Sequence, residues 1–259
     1  MTFHPKKSLG QNFLNDERLL KPILDAAELL PDDTILEIGP GFGILTQELA
    51  KKVGLVLAVE KDFQLVEALR KKFKHYPNVK IIHDDILRFD LNELPKTYKV
   101  VANLPFNITS PVIKRITIGP RPTIAVLMVQ KEVAERLTAP AGSKERGIVT
   151  VFLEHYSATR MVTTIGKGQF SPVPKFDAGV VKIVFNTVRQ DKVFEQTVKA
   201  GFSTKRRQIH NSLAGSLRLP SDQIFAILKG ANVESQKRAE DLTLRDWQAL
   251  SRAFARVFA

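Results

Sequence analysis

The sequence contains no cysteine. Disulfides, thiolate nucleophiles, iron–sulfur clusters and Cys-ligated zinc are therefore excluded, and the composition fits a reducing, cytoplasmic compartment. Long apolar runs are absent as well. No stretch reaches the roughly 18 residues that a membrane span needs, and Met1-Thr2-Phe3-His4-Pro5-Lys6-Lys7 lacks the apolar core of a secretory signal. No Gly-x-Ser-x-Gly turn occurs, so nothing suggests a serine hydrolase. The five histidines, His4, His75, His83, His155 and His210, are not spaced as metal ligands, and no metal is expected. Carboxylates are scarce relative to bases: 27 Asp+Glu face 39 Lys+Arg in 259 residues, a net charge of +12. Such a surplus suits a polyanionic partner, because each Lys or Arg that neutralises a phosphate releases counterions. It is densest at the C-terminal end, where residues 187–259 hold 13 Lys+Arg against 7 Asp+Glu.

What is present is an alternation. Short β-rich runs at Ile35–Ile38, Leu55–Val59, Val79–Ile82, Lys99–Ala102 and Thr123–Val129 are separated by amphipathic stretches at Leu45–Lys52, Phe63–Phe73 and Pro111–Ile118. That rhythm predicts an α/β fold with a mostly parallel sheet covered on both faces. Met161–Thr164 and Gly179–Phe185 would complete the sheet with an antiparallel edge. Beyond Phe185 the β signals stop, and Asp191–Phe202, Arg206–Leu217, Ser221–Lys229 and Leu244–Val257 read as helices, with Ser221 and Thr243 as N-caps. The expected division is therefore residues 1–186 and a small all-helical, basic domain of residues 187–259. Ala139–Gly147 is the most loop-like stretch before the boundary, and Trp247 reads as a core anchor of the last helix.

The chemistry-bearing residues fall at strand ends. Glu37-Ile38-Gly39-Pro40-Gly41-Phe42-Gly43 follows the first of these strands and opens a helix. Its GxGxG spacing departs from the dinucleotide GxGxxG pattern. With a carboxylate two residues ahead, it matches a loop that cradles the amino-acid end of S-adenosylmethionine. A side chain at Gly41 should collide with that ligand and nothing else, so Gly41→Val is expected to abolish binding and spare the fold. Glu60 ends the next strand, where a carboxylate can accept both ribose hydroxyls. Asp84-Asp85 follows the third strand, within reach of an adenine amine. Asn103-Leu104-Pro105-Phe106 ends the fourth: proline fixes the turn, the Asn oxygen and a neighbouring carbonyl can accept from an exocyclic amine, and Phe106 can stack on a base. Such an arrangement suits methylation of an amine on a base that has left its stack.

These motifs occur in one order with Lys7-Ser8-Leu9-Gly10-Gln11-Asn12-Phe13-Leu14, with Phe170-Ser171-Pro172-Val173-Pro174-Lys175 and with Phe202–Leu213. Together they resemble the ribosomal-RNA adenine N6,N6-dimethyltransferases of the small-subunit type, across essentially the whole chain. The resemblance implies a Rossmann-like methyltransferase sheet and S-adenosylmethionine-dependent dimethylation of two adjacent adenosines in the 3′-terminal hairpin of small-subunit rRNA. It further implies cofactor contacts at Asn12, Leu14, Gly39, Glu60, Asp85 and Asn103, and a monomer acting on an assembling subunit. Phe106 departs from the more usual Tyr of that family. Phe at this position is familiar in large-subunit, macrolide-resistance methyltransferases, which form one alternative, and a non-catalytic RNA-binding assembly factor forms another. The cluster Lys205-Arg206-Arg207, at the opening of an expected helix, is the candidate phosphate contact.

Overall fold

The structure, a computed structural model, describes residues 13–14 and 17–258. In chain order its elements are β1 (Phe13–Leu14), α1 (Lys21–Ala27), β2 (Thr34–Ile38), α2 (Ile44–Ala50), β3 (Leu55–Glu60), α3 (Phe63–Lys72), β4 (Val79–His83), β5 (Lys99–Asn103), α4 (Thr109–Ile118), β6 (Ile124–Gln130), α5 (Lys131–Leu137), α6 (Ile148–Tyr156), β7 (Ser157–Ile165), β8 (Phe170–Ser171), β9 (Ala178–Phe185), α7 (Lys192–Gly201), α8 (Ile209–Leu217), α9 (Ser221–Gly230) and α10 (Leu244–Phe258).

The first compact unit, residues 1–135 with 157–186, is built on a seven-stranded sheet in the order β4-β3-β2-β5-β6-β9-β7. The first five strands pair in parallel, and the last two pairings are antiparallel. Its centre is buried on both faces, as the β-branched runs require: Val100, Val101, Ala102 and every residue from Ala125 to Val129 are fully covered. From β2 the chain winds outward through β3 and β4, then returns to β5 on the other side. The crevice beyond the carboxyl ends of β2 and β5 is thus the ligand position of such a sheet. All four strand-end motifs open toward that edge. The two-residue strands β1 and β8 form a separate antiparallel pair, Phe13 facing Ser171 and Leu14 facing Phe170.

Three helices are absent from the sequence reading. α1 carries Pro22, which reads as a breaker. It sits in the first turn, where its missing N–H leaves no bond unmade. α5 follows directly on β6 with no turn residue between them. The run Ile148–Tyr156 is rich in β-branched and aromatic residues, but it folds as α6 because Thr150, Val151, Phe152, Leu153 and Tyr156 are all buried.

The second unit joins residues 136–156 to 187–259, so α6 and the loop before it group with the C-terminal helices rather than with residues 1–135 as the sequence reading has it. The fastener is Arg146. Fully buried, it forms a two-pronged pair with Glu154 at 2.5 and 2.6 Å and donates to the carbonyls of Ala139 (3.2 Å) and Leu242 (3.4 Å). Trp247 is fully buried and stacks on Phe202, with 5.6 Å between ring centroids. Thr243 caps α10 as expected: its hydroxyl accepts from the Asp246 amide (3.2 Å) while the Asp246 carboxylate accepts from the Thr243 amide (2.9 Å). Ser221 does not cap α9; the cap position is Pro220, with no side-chain hydrogen bond. Nor do Lys205, Arg206 and Arg207 open a helix. Gln208 is extended and bridges to Arg238, which delays the start of α8 to Ile209 and leaves the three cations in an exposed turn.

Candidate cofactor and catalytic site

One cleft in the first unit is lined by Leu14, Glu37, the turn Gly39–Phe42, Glu60, Lys61, Asp84, Asp85 and the run Asn103–Ile108. Of the expected site residues it gathers Leu14, Gly39, Gly41, Glu60, Asp85, Asn103, Leu104, Pro105 and Phe106. Asn12 lies outside the described residues. Lys205, Arg206 and Arg207 belong to the second unit.

The turn between β2 and α2 has Gly39, Gly41 and Gly43 all in the left-handed region, at φ of +68°, +60° and +74°. Here the sequence expectation needs correcting, because the atoms that a side chain would strike are the protein's own. A Cβ on Gly41 would lie 2.8 Å from the Phe13 ring, and one on Gly39 would lie 3.3 Å from Cδ of Pro105. Missing side chains therefore let the glycine turn press against the NLPF turn on one side and β1 on the other. Phe13 and Phe42 meet at 4.4 Å between centroids. Lys72, at the end of α3, donates to the carbonyls of Phe42 (3.0 Å) and Gly43 (3.4 Å) and tethers the same turn. No local pattern marks that lysine: it is 29 residues further along, on a face that reads as solvated.

The three acidic positions differ in environment. Glu60 is 7% exposed; its Oε1 accepts from the Asp62 amide at 2.8 Å and its Oε2 from the Gly41 amide at 3.3 Å. Burial raises its pKa, against the pull of those amides. Its carboxylate thus anchors the glycine turn and faces the cleft. Glu60→Ala is expected to weaken cofactor binding by about 1–3 kcal/mol, the range for hydrogen bonds to a charged group, as read by calorimetry with S-adenosylhomocysteine. Asp85 is held as an anion: Lys61 pairs with Oδ2 at 2.9 Å and the Leu87 amide reaches Oδ1 at 3.0 Å, so its pKa lies below the usual range. Lys61 is a further site residue that the sequence reading does not single out. Glu37 is fully enclosed, and burial pushes it up to about 8.

At the end of β5, Asn103 is half-buried and Leu104 buried. The Leu104 amide donates to the Met128 carbonyl of β6 at 3.0 Å, fixing the turn to the sheet. The Leu104 carbonyl follows Asn103 in the same cleft-lining turn and is the candidate second acceptor. The Pro105 carbonyl is taken up by the Ile108 amide (3.1 Å) and the Thr109 hydroxyl (3.3 Å), which starts α4. Phe106 is half-buried on the wall of the cleft.

The fit to S-adenosylmethionine rests on these features: a glycine turn at a helix N-terminus, a strand-end carboxylate at Glu60, an anionic Asp85, and an enclosed Glu37 whose Oε2 has no hydrogen-bond partner among the described residues. In the second unit Lys205, Arg206 and Arg207 are all exposed, and Lys205 donates to the Lys144 carbonyl at 2.5 Å. Among the described residues no group of three or more His, Cys, Asp or Glu side chains could hold a metal, and no helix is long and apolar enough to cross a membrane.

A family model described as ribosomal RNA adenine dimethylase matches residues 2–255. A protein of Dehalococcoides mccartyi named ribosomal RNA small subunit methyltransferase A is 40% identical, over 98% of this chain and 90% of its own length. A protein of the same name from Geobacter metallireducens is also 40% identical, over 96% of this chain and 94% of its length. The crystal structure of a dimethyladenosine transferase from Plasmodium falciparum shares the fold, with a TM-score of 0.81 at 24% identity, covering 94% of this chain and 98% of that one. The 23S rRNA methyltransferase ErmE aligns at a TM-score of 0.73 with 27% identity, over 94% of this chain and 99% of that one.

Proposed function

This chain belongs to the ribosomal RNA adenine dimethylase family, and from that premise we propose that it dimethylates the N6 amine of two adjacent adenosines in the 3′-terminal hairpin of small-subunit rRNA during subunit assembly. The observation that carries this reading is the convergence of the glycine turn, Glu60, Asp85 and the Asn103–Phe106 turn on one cleft. S-adenosylmethionine, when bound, supplies a methyl group on a sulfonium. Gly39, Gly41 and Leu14 shape its cradle, Glu60 suits its ribose, and Asp85 suits the adenine amine. Asn103 and the Leu104 carbonyl accept hydrogen bonds from the target amine, whose lone pair is otherwise delocalised into its ring. Two acceptors that draw the N–H groups out of the ring plane make that nitrogen a better nucleophile.

The small-subunit reading is favoured over the large-subunit one by relatives at 40% identity that carry the small-subunit name. Labelled-methyl transfer to purified immature small subunits, set against large-subunit precursors, tests it. Incorporation confined to the large subunit would reverse the assignment, and incorporation into neither would favour the assembly-factor role. Phe106 is proposed to stack on the flipped base. Phe106→Tyr should then be nearly silent and Phe106→Ala costly by about 1–3 kcal/mol; equal turnover in all three forms would reduce the ring to packing.

Lys205, Arg206 and Arg207 are proposed to grip the rRNA backbone, positioning it without reading sequence. Neutralising all three should weaken subunit binding and flatten its salt dependence. Each lost phosphate contact removes about 0.7–0.9 from the slope of log affinity against log salt. Cofactor affinity should stay unchanged, since its site is built from the strand ends of the first unit. Identical slopes for wild type and triple variant would mean that the cluster is only a solvated turn. The protein is proposed to act in the cytoplasm, as a monomer.

A further inference from the structure

In the second unit one aromatic ring is left outside where the packing does not require it. α9 buries Ile224, Ile227 and Leu228 and leaves Phe225, between them, 43% exposed. Among the described residues of that unit it is the only exposed phenylalanine, tyrosine or tryptophan ring. A single exposed apolar side chain is ordinary on its own. What sets Phe225 apart is its support and its surroundings. His210, the second residue of α8, stacks on it with ring centroids 4.9 Å apart and 30° between the planes. The imidazole is itself tethered, its Nδ1 lying 2.8 Å from the Ser235 carbonyl oxygen. The strip beside this pair is cationic. The Ile209 amide donates to the Lys237 carbonyl at 2.7 Å, and Gln208 bridges Arg238. The turn carrying Arg206 and Arg207 and the segment carrying Lys237 and Arg238 therefore meet just ahead of His210. Residues 205–238 hold seven Lys and Arg, the others being Lys205, Arg218 and Lys229, against two carboxylates, Asp222 and Glu234. Lys237 and Glu234 are 3.5 Å apart with side chains 38% and 78% exposed. So open a pair contributes little and yields readily to another anion.

We propose that Phe225, braced by His210, is a stacking platform for one unpaired base of the rRNA, whose flanking phosphates lie on the strip of Arg206, Arg207, Lys237 and Arg238. This rests on the RNA-substrate reading above and adds a base contact to the phosphate contacts of that unit. An open π-face accepts any base, and the positive charge around it accepts the phosphates on either side. Single-strand binding surfaces combine the same two elements. An apolar protein partner would instead meet a patch of one ring rimmed by unpaired cations. A duplex fits poorly as well, since its bases are stacked on one another and offer no face to a ring. The platform therefore selects loops, bulges and ends, where bases can be splayed out. Phosphate contacts weaken steeply with salt through counterion uptake, whereas stacking releases no counterion. The two contributions can thus be read apart.

Fluorescence anisotropy of the full chain does so with two labelled probes, an oligoadenylate of about 12 nucleotides and an abasic ribose-phosphate oligomer of the same length. Both are titrated across roughly 50 to 200 mM salt. Phe225→Ala is expected to weaken oligoadenylate binding roughly 5- to 150-fold at every salt concentration, the scale of one base–aromatic stack. The slope against log salt should not change, and abasic binding should be unaffected. Phe225→Trp should retain oligoadenylate binding. Phe225→Leu keeps apolar cover over His210 without a π-face, and should lose nearly as much as the Ala variant. Equal oligoadenylate affinity in wild type and Phe225→Ala would overturn the platform. So would an equal loss of abasic binding, or full retention in Phe225→Leu, since either would mean that the ring only packs the surface. Weaker binding of Phe225→Ala to immature small subunits with unchanged oligoadenylate binding would also overturn it, in favour of a protein contact. None of these readouts needs methyl transfer. Base-dependent binding without transfer to any subunit would overturn the function proposed above and uphold the platform.

Discussion

Asn103→Ala is expected to lower the single-turnover rate of methyl transfer by about a hundredfold or more, the scale of losing one positioned polar group at a reacting centre, while costing much less in cofactor affinity. Asn103 ends β5, and the next residue is tied to β6 through its amide, so the side chain stands on a fixed base. Its substitution removes one of the two acceptors that the turn is proposed to offer to a substrate amine. The second, the Leu104 carbonyl, is main chain and survives. The variant should therefore retain slow transfer rather than none. Because the resemblance also puts a cofactor contact at this position, a modest rise in the dissociation constant for S-adenosylhomocysteine is compatible with the role. Rate and affinity must be measured separately, since an interaction made mainly in the transition state shows itself in rate. An unchanged single-turnover rate would refute the assignment.

The parts of this site that sequence made legible are those where one strand's end specifies one chemistry. Val- and Ile-rich runs locate the buried parallel strands, and Glu60, Asp85 and Asn103 follow those runs directly, so their common edge can be inferred without coordinates. Contacts across the fold are another matter. Nothing near Gly41 announces that Phe13 will press against it, nor does Lys72 signal that it tethers the turn 29 residues earlier. Lys61 reads as a surface lysine until its partner Asp85, 24 residues away, is placed beside it. The same limit explains the misplaced helix start at Arg206. Local propensity allows a helix there, and a bridge from Gln208 to Arg238, thirty residues on, overrides it. Arg146 shows the reverse case: a charged residue in a loop-like stretch reads as exposed, yet its pairing with Glu154 makes full burial tolerable.

Gly41→Val is expected to abolish measurable cofactor binding and also to lower stability. The second effect is the one that the structure adds. At φ +60° a β-branched residue is strained, by roughly 1–2 kcal/mol for the left-handed conformation alone. The added Cβ must in addition displace the Phe13 ring, 2.8 Å away, which lines the same cleft and belongs to β1. Strain and displacement act through different atoms, so they can be separated. Gly41→Ala carries both in their mildest form. Combining it with Phe13→Ala removes the collision and keeps the backbone strain. If the collision with Phe13 dominates, the double variant should bind S-adenosylhomocysteine better than the sum of the two single losses implies, a coupling that a double-mutant cycle measures. If backbone strain dominates, the losses should simply add, and thermal melts should show the same drop in Gly41→Ala with or without Phe13. Wild-type affinity in Gly41→Val would dissociate this turn from the cofactor altogether.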